Sequence, residues 1–229
     1  MKLLLPPPRP EGTPAHPAQA PAPSTGTGTK LWLIRHAEVA PEFHGIAYGA
    51  ADVPLSDRGR EQSRAVASAF EGERVARIYA SPSQRTQEMA ELLAAATGAA
   101  VTTLEGLKEI DRGAWQGGTR EEFRERWHAD AASWWRDPWH WRAPEGECDA
   151  DVFARAWPAV QGATEDAPGD VCLFCTHANT IRALLTGALG IPSIQGYELA
   201  TDPAHASLIV DGAAGWELCE RNLAPGAGG

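Results

Sequence analysis

The sequence predicts a three-layer α/β/α fold with a mostly parallel central sheet and a Trp-rich helical excursion over the strand ends. Short apolar runs alternate with helical patterns along most of the chain, which is typical of a parallel sheet covered by helices. The length of 229 residues and the 43% hydrophobic content suit one domain with a substantial core. The stretch from about residue 119 to 163 breaks the alternation with further helical patterns. Its tryptophans are Trp127, Trp134, Trp135, Trp139, Trp141 and Trp157.

The first part of the chain predicts a strand, a helix and a second strand. Leu31–Ile34 is a short apolar run that indicates a buried strand. Ser56 is a suitable N-cap for a helix that continues to Phe70. Arg77–Ala80 follows as the second strand. A helix between two such strands predicts that the strands are parallel.

The second helix is predicted from its capping residues. Ser81 is the expected N-cap, Pro82 takes the first helical position and Gln84 completes a capping box. Gly98 is the expected stop of this helix. Val101–Thr103 then forms a short third strand.

The end of the chain predicts a further strand and helix, and then a hairpin. Val171–Cys175 is the fourth strand. A helix over Ala178–Leu189 follows and is closed by Gly190. Ser207–Val210 and Trp216–Cys219 flank a glycine-containing turn, which indicates a terminal hairpin.

The composition divides the chain into segments. Residues 1–29 are rich in Pro and Ala and predict a disordered tail. Residues 30–222 form the expected folded domain, with 119–163 as a helical cap subregion, and 223–229 form a loose C-terminus. No apolar stretch approaches the length of a membrane span or of a signal-peptide core, so a cytoplasmic location is expected.

The formal net charge of -10 argues against a nucleic-acid partner, because such binding needs a basic face. Cys172 and Cys175 form a C-x-x-C pair, but residues three apart in a strand point to opposite faces of a sheet. The pair is therefore expected to be buried and apolar rather than redox-active. No spacing typical of metal ligands is present, and neither a metal nor a cofactor is predicted. The oligomeric state is not predicted.

Charged side chains are expected to converge at the carboxyl ends of the strands, where open α/β sheets bind ligands. Arg35 and His36 end the first strand, and His177 ends the fourth. Arg85 lies in the first turn of the second helix, and Glu109 lies on the loop after the third strand. Two arginines, two histidines and a carboxylate are the groups needed for phosphoryl transfer without a metal.

The charges of these side chains suggest their roles in phosphoryl transfer. A neutral imidazole is a suitable nucleophile for a phosphate monoester, which repels anions. Arg35, Arg85 and His177 would bind the equatorial oxygens and stabilise the transition-state charge. An acid must protonate the leaving oxygen and then activate water against the phosphohistidine. The expected partner is therefore a small phosphate monoester.

These motifs resemble those of the histidine phosphatase superfamily, historically called phosphoglycerate-mutase-like. The resemblance covers nearly all of residues 31–222. The matching segments are Trp32–Glu38 (L-x-x-R-H-x-E), Asp52–Gln62 (D-x-P-L-(S/T)-x-x-G-x-x-Q), Tyr79–Thr86 (S-S-P-x-x-R-(A/T)), Leu107–Gly117 (L-x-E-x-x-x-G-x-W-(E/Q)-G) and Thr176–Arg182 ((S/T)-H-(G/A)-x-x-I-R). The resemblance implies that His36 is the residue that becomes phosphorylated.

The resemblance also bears on the acid. One branch of the superfamily uses an Asp directly after the second His, and here that position is Ala178. This implies an acid on the central loop, namely Glu109, with Glu105 and Asp111 as alternatives. Arg182 is expected to form a salt bridge rather than to bind phosphate.

The segments Ala47–Leu55 and Pro144–Glu147 are most similar to the α-ribazole phosphatase subgroup, which acts in cobalamin nucleotide-loop assembly. This implies α-ribazole 5'-phosphate as a substrate. The expected substrate contacts are Arg35, Arg85, His177, Ala178, Tyr48 and Glu147.

Several positions depart from the family pattern. Val39 stands where the family often has Thr, and Glu42 where it often has a phosphate-contacting Asn, a role that His44 could take. Cys148 replaces a Ser of the subgroup. These departures bear on the identity of the substrate rather than on the core chemistry. A phosphoglycerate-type mutase, which shares the first half-reaction, and a non-catalytic phosphate-binding protein are the alternatives to a hydrolase.

Overall fold

A six-stranded sheet forms the centre of the part of the chain that the structure describes. The structure is a computed structural model that describes residues 6–9, 11 and 18–225. The rest of the predicted N-terminal tail and residues 226–229 lie outside the described residues. The strands are β1 (Lys30–Arg35), β2 (Val75–Ala80), β3 (Val101–Thr103), β4 (Val171–Thr176), β5 (Ala206–Gly212) and β6 (Gly215–Leu223).

The strand order is β3-β2-β4-β1-β5-β6. The pairs β2/β3, β2/β4 and β1/β4 are parallel, whereas β1/β5 and β5/β6 are antiparallel. This confirms the predicted, mostly parallel sheet and its terminal hairpin. Each predicted strand is present, and only β3 has the predicted bounds, because backbone pairing extends the other strands beyond their apolar residues.

Seven helices surround this sheet within the described residues. They are α1 (Asp57–Ala69), α2 (Gln84–Thr97), α3 (Arg120–Ala129), α4 (Ala131–Arg136), α5 (Asp149–Asp166), α6 (Ala178–Leu189) and α7 (Ser193–Glu198). Helices α1 and α2 contribute to the core on one face of the sheet, and α5 and α6 to the core on the other. This arrangement confirms the predicted three layers.

The start of α1 follows the sequence prediction. The Ser56 hydroxyl accepts a hydrogen bond from the Gly59 backbone N–H at 2.9 Å, as expected of an N-cap. A Cβ at Gly59 would lie 2.0 Å from the carbonyl oxygen of Glu38. Glycine at this position therefore lets α1 pack closely against the loop that follows β1.

The predicted capping of α2 is wrong. The helix begins at Gln84 with Ser83 as its N-cap, so Ser81 and Gln84 do not form a capping box. The Ser81 hydroxyl contacts the ring of His177 instead. The buried imidazole gives this hydroxyl a tertiary partner that the local sequence pattern does not reveal.

The two cysteines of the C-x-x-C pair lie in different cores on opposite faces of the sheet, as predicted. Cys172 packs with α5 and α6, whereas Cys175 packs with α1 and α2. Both are free thiols. Burial raises the pKa of Cys172 to about 11 and that of Cys175 to about 12, so neither is a reactive thiolate.

The Trp-rich excursion is smaller than predicted. Phe123, Trp127, Trp134 and Trp135 form a separate apolar cluster on α3 and α4. Helix α5 begins within the predicted 119–163 subregion and extends beyond it, but it packs against α6, and its Trp157 belongs to the main core. The cap therefore consists of α3 and α4, because the apolar residues of α5 face the sheet layer.

The end of the predicted tail packs against the domain, which differs from the prediction of a disordered segment up to residue 29. Asp211 of β5 accepts hydrogen bonds from Ser24, Thr25 and Thr27. The indole N–H of Trp216 donates to the Pro23 carbonyl at 3.0 Å. These polar contacts order a segment whose composition alone offers little to bury.

Within the described residues, no helix is both long and apolar enough to cross a membrane.

Candidate active site

The two predicted histidines meet at the carboxyl end of the sheet. Strands β1 and β4 are parallel neighbours, and Arg35 is paired in register with Thr176. His36 and His177 follow these two residues directly, so the register places their side chains together. Their ring centroids lie 5.2 Å apart, and both residues are buried. The predicted convergence of the two histidines is therefore present.

The His36 ring is held in one tautomer. Its Nδ1 lies 2.8 Å from the carbonyl oxygen of Ala37. Because a carbonyl oxygen can only accept a hydrogen bond, Nδ1 carries the proton in the neutral ring. The lone pair is then on Nε2, which is the nitrogen available for attack.

Both histidines are held in the neutral form. Burial, followed by the positive charges of Arg85 and Arg35, lowers the pKa of His36 well below its usual value. Burial and Arg85 also lower the pKa of His177. A neutral imidazole at His36 satisfies the requirement for a nucleophile that attacks phosphate.

His177 is anchored by Ser81. Its Nε2 lies 2.8 Å from the Ser81 hydroxyl. Its buried Nδ1 has no hydrogen-bond partner among the residues that the structure describes. A buried polar atom of this kind calls for an explanation, and a bound ligand oxygen would satisfy it.

Arg85 is fixed by the loop that precedes α1. Its guanidinium donates to the carbonyl oxygens of Ala51 at 2.9 Å and Gly49 at 3.4 Å. Its Cζ also lies 5.3 Å from the ring centroid of Tyr48. The side chain is fully buried, and its Nε lacks a partner within the described part of the chain. Arg85 is therefore a rigid cation beside both histidines.

Two cavities open at this end of the sheet. The nucleophile cavity is lined by Arg35, His36, Ala37, Glu38, Val39, His44, Gly45, Tyr48 and Pro203. The second, here called the leaving-group cavity, has about 650 Å³ of empty space, including space open to solvent. It is lined by Arg35, Ile46, Ala47, Tyr48, Gly49, Glu109, Arg112, Arg120, Phe123, Trp127, Ala178, Asn179, Arg182 and Tyr197. Arg35 and Tyr48 line both cavities and therefore connect them.

Glu109 is the one of the three candidate acids that lines the leaving-group cavity. Its carboxylate accepts hydrogen bonds from the backbone N–H groups of Ile110 at 2.9 Å and Asn179 at 3.3 Å. Glu105 instead pairs with Lys108 at the surface. Asp111 is exposed and accepts a hydrogen bond from the Gly113 N–H. The geometry therefore favours Glu109.

The loop that carries Glu109 is clamped by Arg155 of α5. The Arg155 guanidinium donates to the carbonyl oxygens of Gly106 at 2.6 Å and Lys108 at 2.8 Å. A Cβ at Gly106 would lie 2.2 Å from the Arg155 carbonyl oxygen, so only glycine permits this approach. Sequence reasoning missed Arg155, because nothing in its local pattern marks it as a partner of a loop more than forty residues away.

Glu147 lines neither of these two cavities, and its contact with the substrate stays a prediction. It pairs with Arg155 at 2.8 Å and accepts a hydrogen bond from the Asp111 N–H at 3.0 Å. The Glu147 carboxylate is therefore part of the contacts that hold the Glu109 loop in place. Cys148 is the N-cap of α5, and its thiol donates to Asp151.

The other departures from the family pattern are less disruptive than expected. Glu42 is exposed and lines neither cavity. His44 and Val39 both line the nucleophile cavity, and the His44 Nε2 lies 2.9 Å from the Val39 carbonyl oxygen. His44 therefore shares this cavity with His36, and a contact of His44 with phosphate stays a prediction.

Arg182 forms the predicted salt bridge. Its Nη2 lies 2.6 Å from Asp149, and both side chains are buried. It also donates to Asn179 and lies 4.0 Å from the ring centroid of Tyr197. Arg182 therefore forms part of the cavity wall with its charge already compensated.

Several lining residues were not predicted as site residues. Those with polar or aromatic side chains include Arg112, Arg120, Phe123, Trp127, Asn179 and Tyr197. Some of these positions had a signal in the sequence. Arg112 lies within the Leu107–Gly117 motif, and the capping box at Thr119 marks the start of α3, which carries Phe123 and Trp127. Tyr197 lies far along the chain from the cap and offers no such signal.

Across the described residues, no group of His, Cys, Asp and Glu side chains is arranged to hold a metal ion.

A family model described as the histidine phosphatase superfamily, branch 1, matches residues 31–223. Phosphoserine phosphatase 1 of Hydrogenobacter thermophilus is 29% identical over 180 residues, which cover 79% of this chain and 85% of that protein. The "Probable phosphoglycerate mutase GpmB" of Cronobacter sakazakii is 28% identical over 173 residues, or 72% of this chain and 76% of the relative.

Solved structures share the fold. A mycobacterial glucosyl-3-phosphoglycerate phosphatase superposes with a TM-score of 0.76 at 24% identity, covering 85% of this chain and 99% of that chain. A proposed alpha-ribazole-5'-P phosphatase of Escherichia coli K-12 gives a TM-score of 0.73 at 22% identity, with 85% and 96% coverage. At identities this low, the similarity shows the fold alone.

Proposed function

The chain belongs to the histidine phosphatase superfamily and is a phosphatase of it, and from this premise we propose that it hydrolyses small phosphate monoesters through a phosphohistidine on His36, without a metal. The observation that carries the proposal is the state of His36. The ring is neutral, its Nδ1 is bonded to the Ala37 carbonyl, and its Nε2 is free to attack beside a second histidine.

In the first step, Nε2 of His36 attacks phosphorus while the bond between phosphorus and the leaving oxygen breaks. Arg35, Arg85 and His177 bind the phosphoryl oxygens and stabilise the charge of the transition state. Glu109 transfers its proton to the leaving oxygen, so that the alcohol departs neutral.

In the second step, water attacks the phosphohistidine. The Glu109 carboxylate takes a proton from this water, and the bond between phosphorus and Nε2 breaks. Inorganic phosphate leaves, and His36 and Glu109 return to their starting states. The sum of the two steps is the hydrolysis of one ester by one water.

The proposal is tested by hydrolysis of 4-nitrophenyl phosphate in the presence of a chelator. We expect turnover by the wild type and none above background by His36→Ala. The matched control is His140→Ala, since His140 is an exposed histidine that pairs with Asp137 and lines neither cavity. Full activity of His36→Ala, or loss of wild-type activity with the chelator, would contradict the proposal.

The identity of the phosphate monoester that this enzyme hydrolyses is a separate part of the proposal. The subgroup motifs favour α-ribazole 5'-phosphate, and a fold neighbour at 22% identity carries that name. A substrate screen that includes this ester and phosphoserine tests the assignment. A cytoplasmic location and the lack of a nucleic-acid partner stay predictions from the sequence.

A phosphoglycerate-type mutase is the second candidate, because a relative carries that name. A mutase shares the first step but returns the phosphoryl group to an acceptor hydroxyl rather than to water. A coupled assay for phosphoglycerate interconversion distinguishes the two activities. A phosphate-binding protein without turnover would bind phosphate in this assay series and hydrolyse nothing.

A further inference from the structure

The leaving-group cavity continues the nucleophile cavity. Arg35 and Tyr48 line both, so an ester whose phosphoryl group lies at His36 extends its leaving group past them. Glu109 lies on the wall of the leaving-group cavity, where it can reach the leaving oxygen. The lining of the leaving-group cavity also includes residues that no catalytic step uses, among them Arg112, Phe123 and Trp127.

Arg112 is a cation without a compensating carboxylate. Its Nη2 donates to the side-chain oxygen of Asn179 at 3.0 Å, and its Cζ lies 5.1 Å from the ring centroid of Phe123. Neither partner is charged, and Arg112 forms no ion pair with any residue that the structure describes. This contrasts with Arg182 in the same wall, which is paired with Asp149.

The nearby carboxylates cannot form an ion pair with Arg112 without giving up other contacts. Asp149 and Glu109 are the two that act electrostatically on Arg112. Asp149 is bound by Arg182, and Glu109 accepts two backbone N–H groups. Burial lowers the pKa of Arg112 and outweighs the opposing effect of these two carboxylates. The cation is therefore available to a ligand.

We propose that Arg112 binds a second anionic group on the leaving part of the substrate. The preferred substrates are then phosphate monoesters whose leaving group also carries a carboxylate or another phosphate. Guanidinium groups bind both anions through paired N–H donors. The inference rests on the proposed phosphatase activity. It opposes the substrate that the subgroup motifs favour, because the nucleoside leaving group of α-ribazole 5'-phosphate has no anion.

The test compares three aryl phosphates that differ in one substituent. They are 4-carboxyphenyl phosphate, its methyl ester and 1,4-phenylene bisphosphate. The measured quantity is the ratio of kcat/KM for each anionic substrate to kcat/KM for the methyl ester. Comparing this ratio between variants cancels the intrinsic reactivity of each leaving group. The ratios for 4-carboxyphenyl phosphate and for 1,4-phenylene bisphosphate show whether Arg112 prefers a carboxylate or a second phosphate.

We expect the wild type to prefer at least one anionic substrate over the methyl ester. Arg112→Gln should lower that ratio about tenfold or more, the loss typical of one charge-assisted hydrogen bond, while glutamine can still donate to Asn179. Arg112→Lys should retain part of the preference because it keeps the charge. Thermal melting of each variant shows that it is folded.

The matched control is Arg124→Gln, because Arg124 is on the same helix as the cavity wall but pairs with Glu121 at the surface. An unchanged ratio in Arg112→Gln, or an equal fall in Arg124→Gln, would overturn the role of Arg112. Hydrolysis of none of the three esters by the wild type would instead contradict the proposed phosphatase activity.

Discussion

Arg155 donates a hydrogen bond from Nη2 to the carbonyl oxygen of Glu109 at 3.2 Å. The same guanidinium is held by both carboxylate oxygens of Glu147, at 2.8 and 2.9 Å. Neither Arg155 nor Glu147 lines the nucleophile cavity or the leaving-group cavity. The position of the proposed acid therefore depends on a charged pair that lines neither of these cavities.

Arg155→Lys should impair acid catalysis selectively. Lysine cannot bridge the loop carbonyls and Glu147 together, so Glu109 loses its fixed position. We expect kcat to fall about 10²-fold for an alkyl phosphate, which is the loss that a displacement of about 1 Å can cause. The fall should be smaller for 4-nitrophenyl phosphate, whose leaving group departs without a proton.

The matched control for this experiment is Arg142→Lys, because Arg142 pairs with Asp151 at the surface of the same region. An equal fall for both substrates in Arg155→Lys would indicate a general structural defect rather than positioning of the acid.

Glu109→Gln should separate the two steps. Glutamine cannot give or take a proton, so hydrolysis should slow by about 10² to 10⁴. With 4-nitrophenyl phosphate, which needs no acid, the first step should continue and the phosphoenzyme should accumulate. A stopped-flow burst of nitrophenol measures this, with Glu105→Gln as the control at the surface. Wild-type turnover by Glu109→Gln would exclude this residue as the acid.

The buried histidines should make folding stability depend on pH. Burial, and then the charges of Arg85 and Arg35, holds the pKa of His36 well below the 6.5 of an exposed histidine. The unfolded chain therefore binds more protons than the folded one near pH 6, and stability falls as the pH decreases below about 6.5.

This dependence is measured by urea unfolding at about pH 7.5 and about pH 5.5. The loss of unfolding free energy at the lower pH should be smaller in His36→Gln than in the wild type, since the variant has one fewer neutral buried histidine. The same loss in both proteins would show that His36 is protonated as readily in the folded state as in the unfolded chain.

The segment before β1 should stabilise the domain. Burial alone would raise the pKa of Asp211, but the hydrogen bonds from Ser24, Thr25 and Thr27 outweigh it and hold the pKa below its usual value. A chain that begins at residue 30 leaves this carboxylate without those donors. We expect it to lose about 1–3 kcal/mol of unfolding free energy relative to a chain that begins at residue 18.

Equal melting curves for the two shortened chains would show that the contacts of Asp211 with the tail contribute nothing. Replacing Asp211 by Asn in the longer chain tests the same contacts without a deletion. It should lower the stability of the chain that begins at residue 18 more than that of the shorter chain.

The sheet and its order of elements were predictable because they follow from apolar runs and capping residues. Ser56 and Gly190 have the local roles that their residue types favour. The convergence of His36 and His177 was predictable as well, because the residues that follow two parallel strands meet at one edge.

Contacts between distant segments were not predictable. Ser81 has the local pattern of an N-cap, but it contacts a histidine that is 96 residues away. Arg155 contacts the loop that carries Glu109, and Arg112 lies in a loop itself. Loops have no hydrophobic periodicity, so the sequence did not predict the positions of these two side chains. The placement of α5 in the main layer rather than in the cap depends on which face of the helix meets the sheet, and tryptophan content does not reveal that.

The most direct test of the account is to identify the phosphorylated atom. The wild type and His36→Ala are mixed with a phosphate ester, quenched in alkali within milliseconds and analysed for phosphohistidine. The account predicts a phosphoenzyme in the wild type alone, on His36 and with phosphorus bonded to Nε2, because Nδ1 donates to Ala37. Phosphorylation at Nδ1, at another residue or in His36→Ala would contradict it.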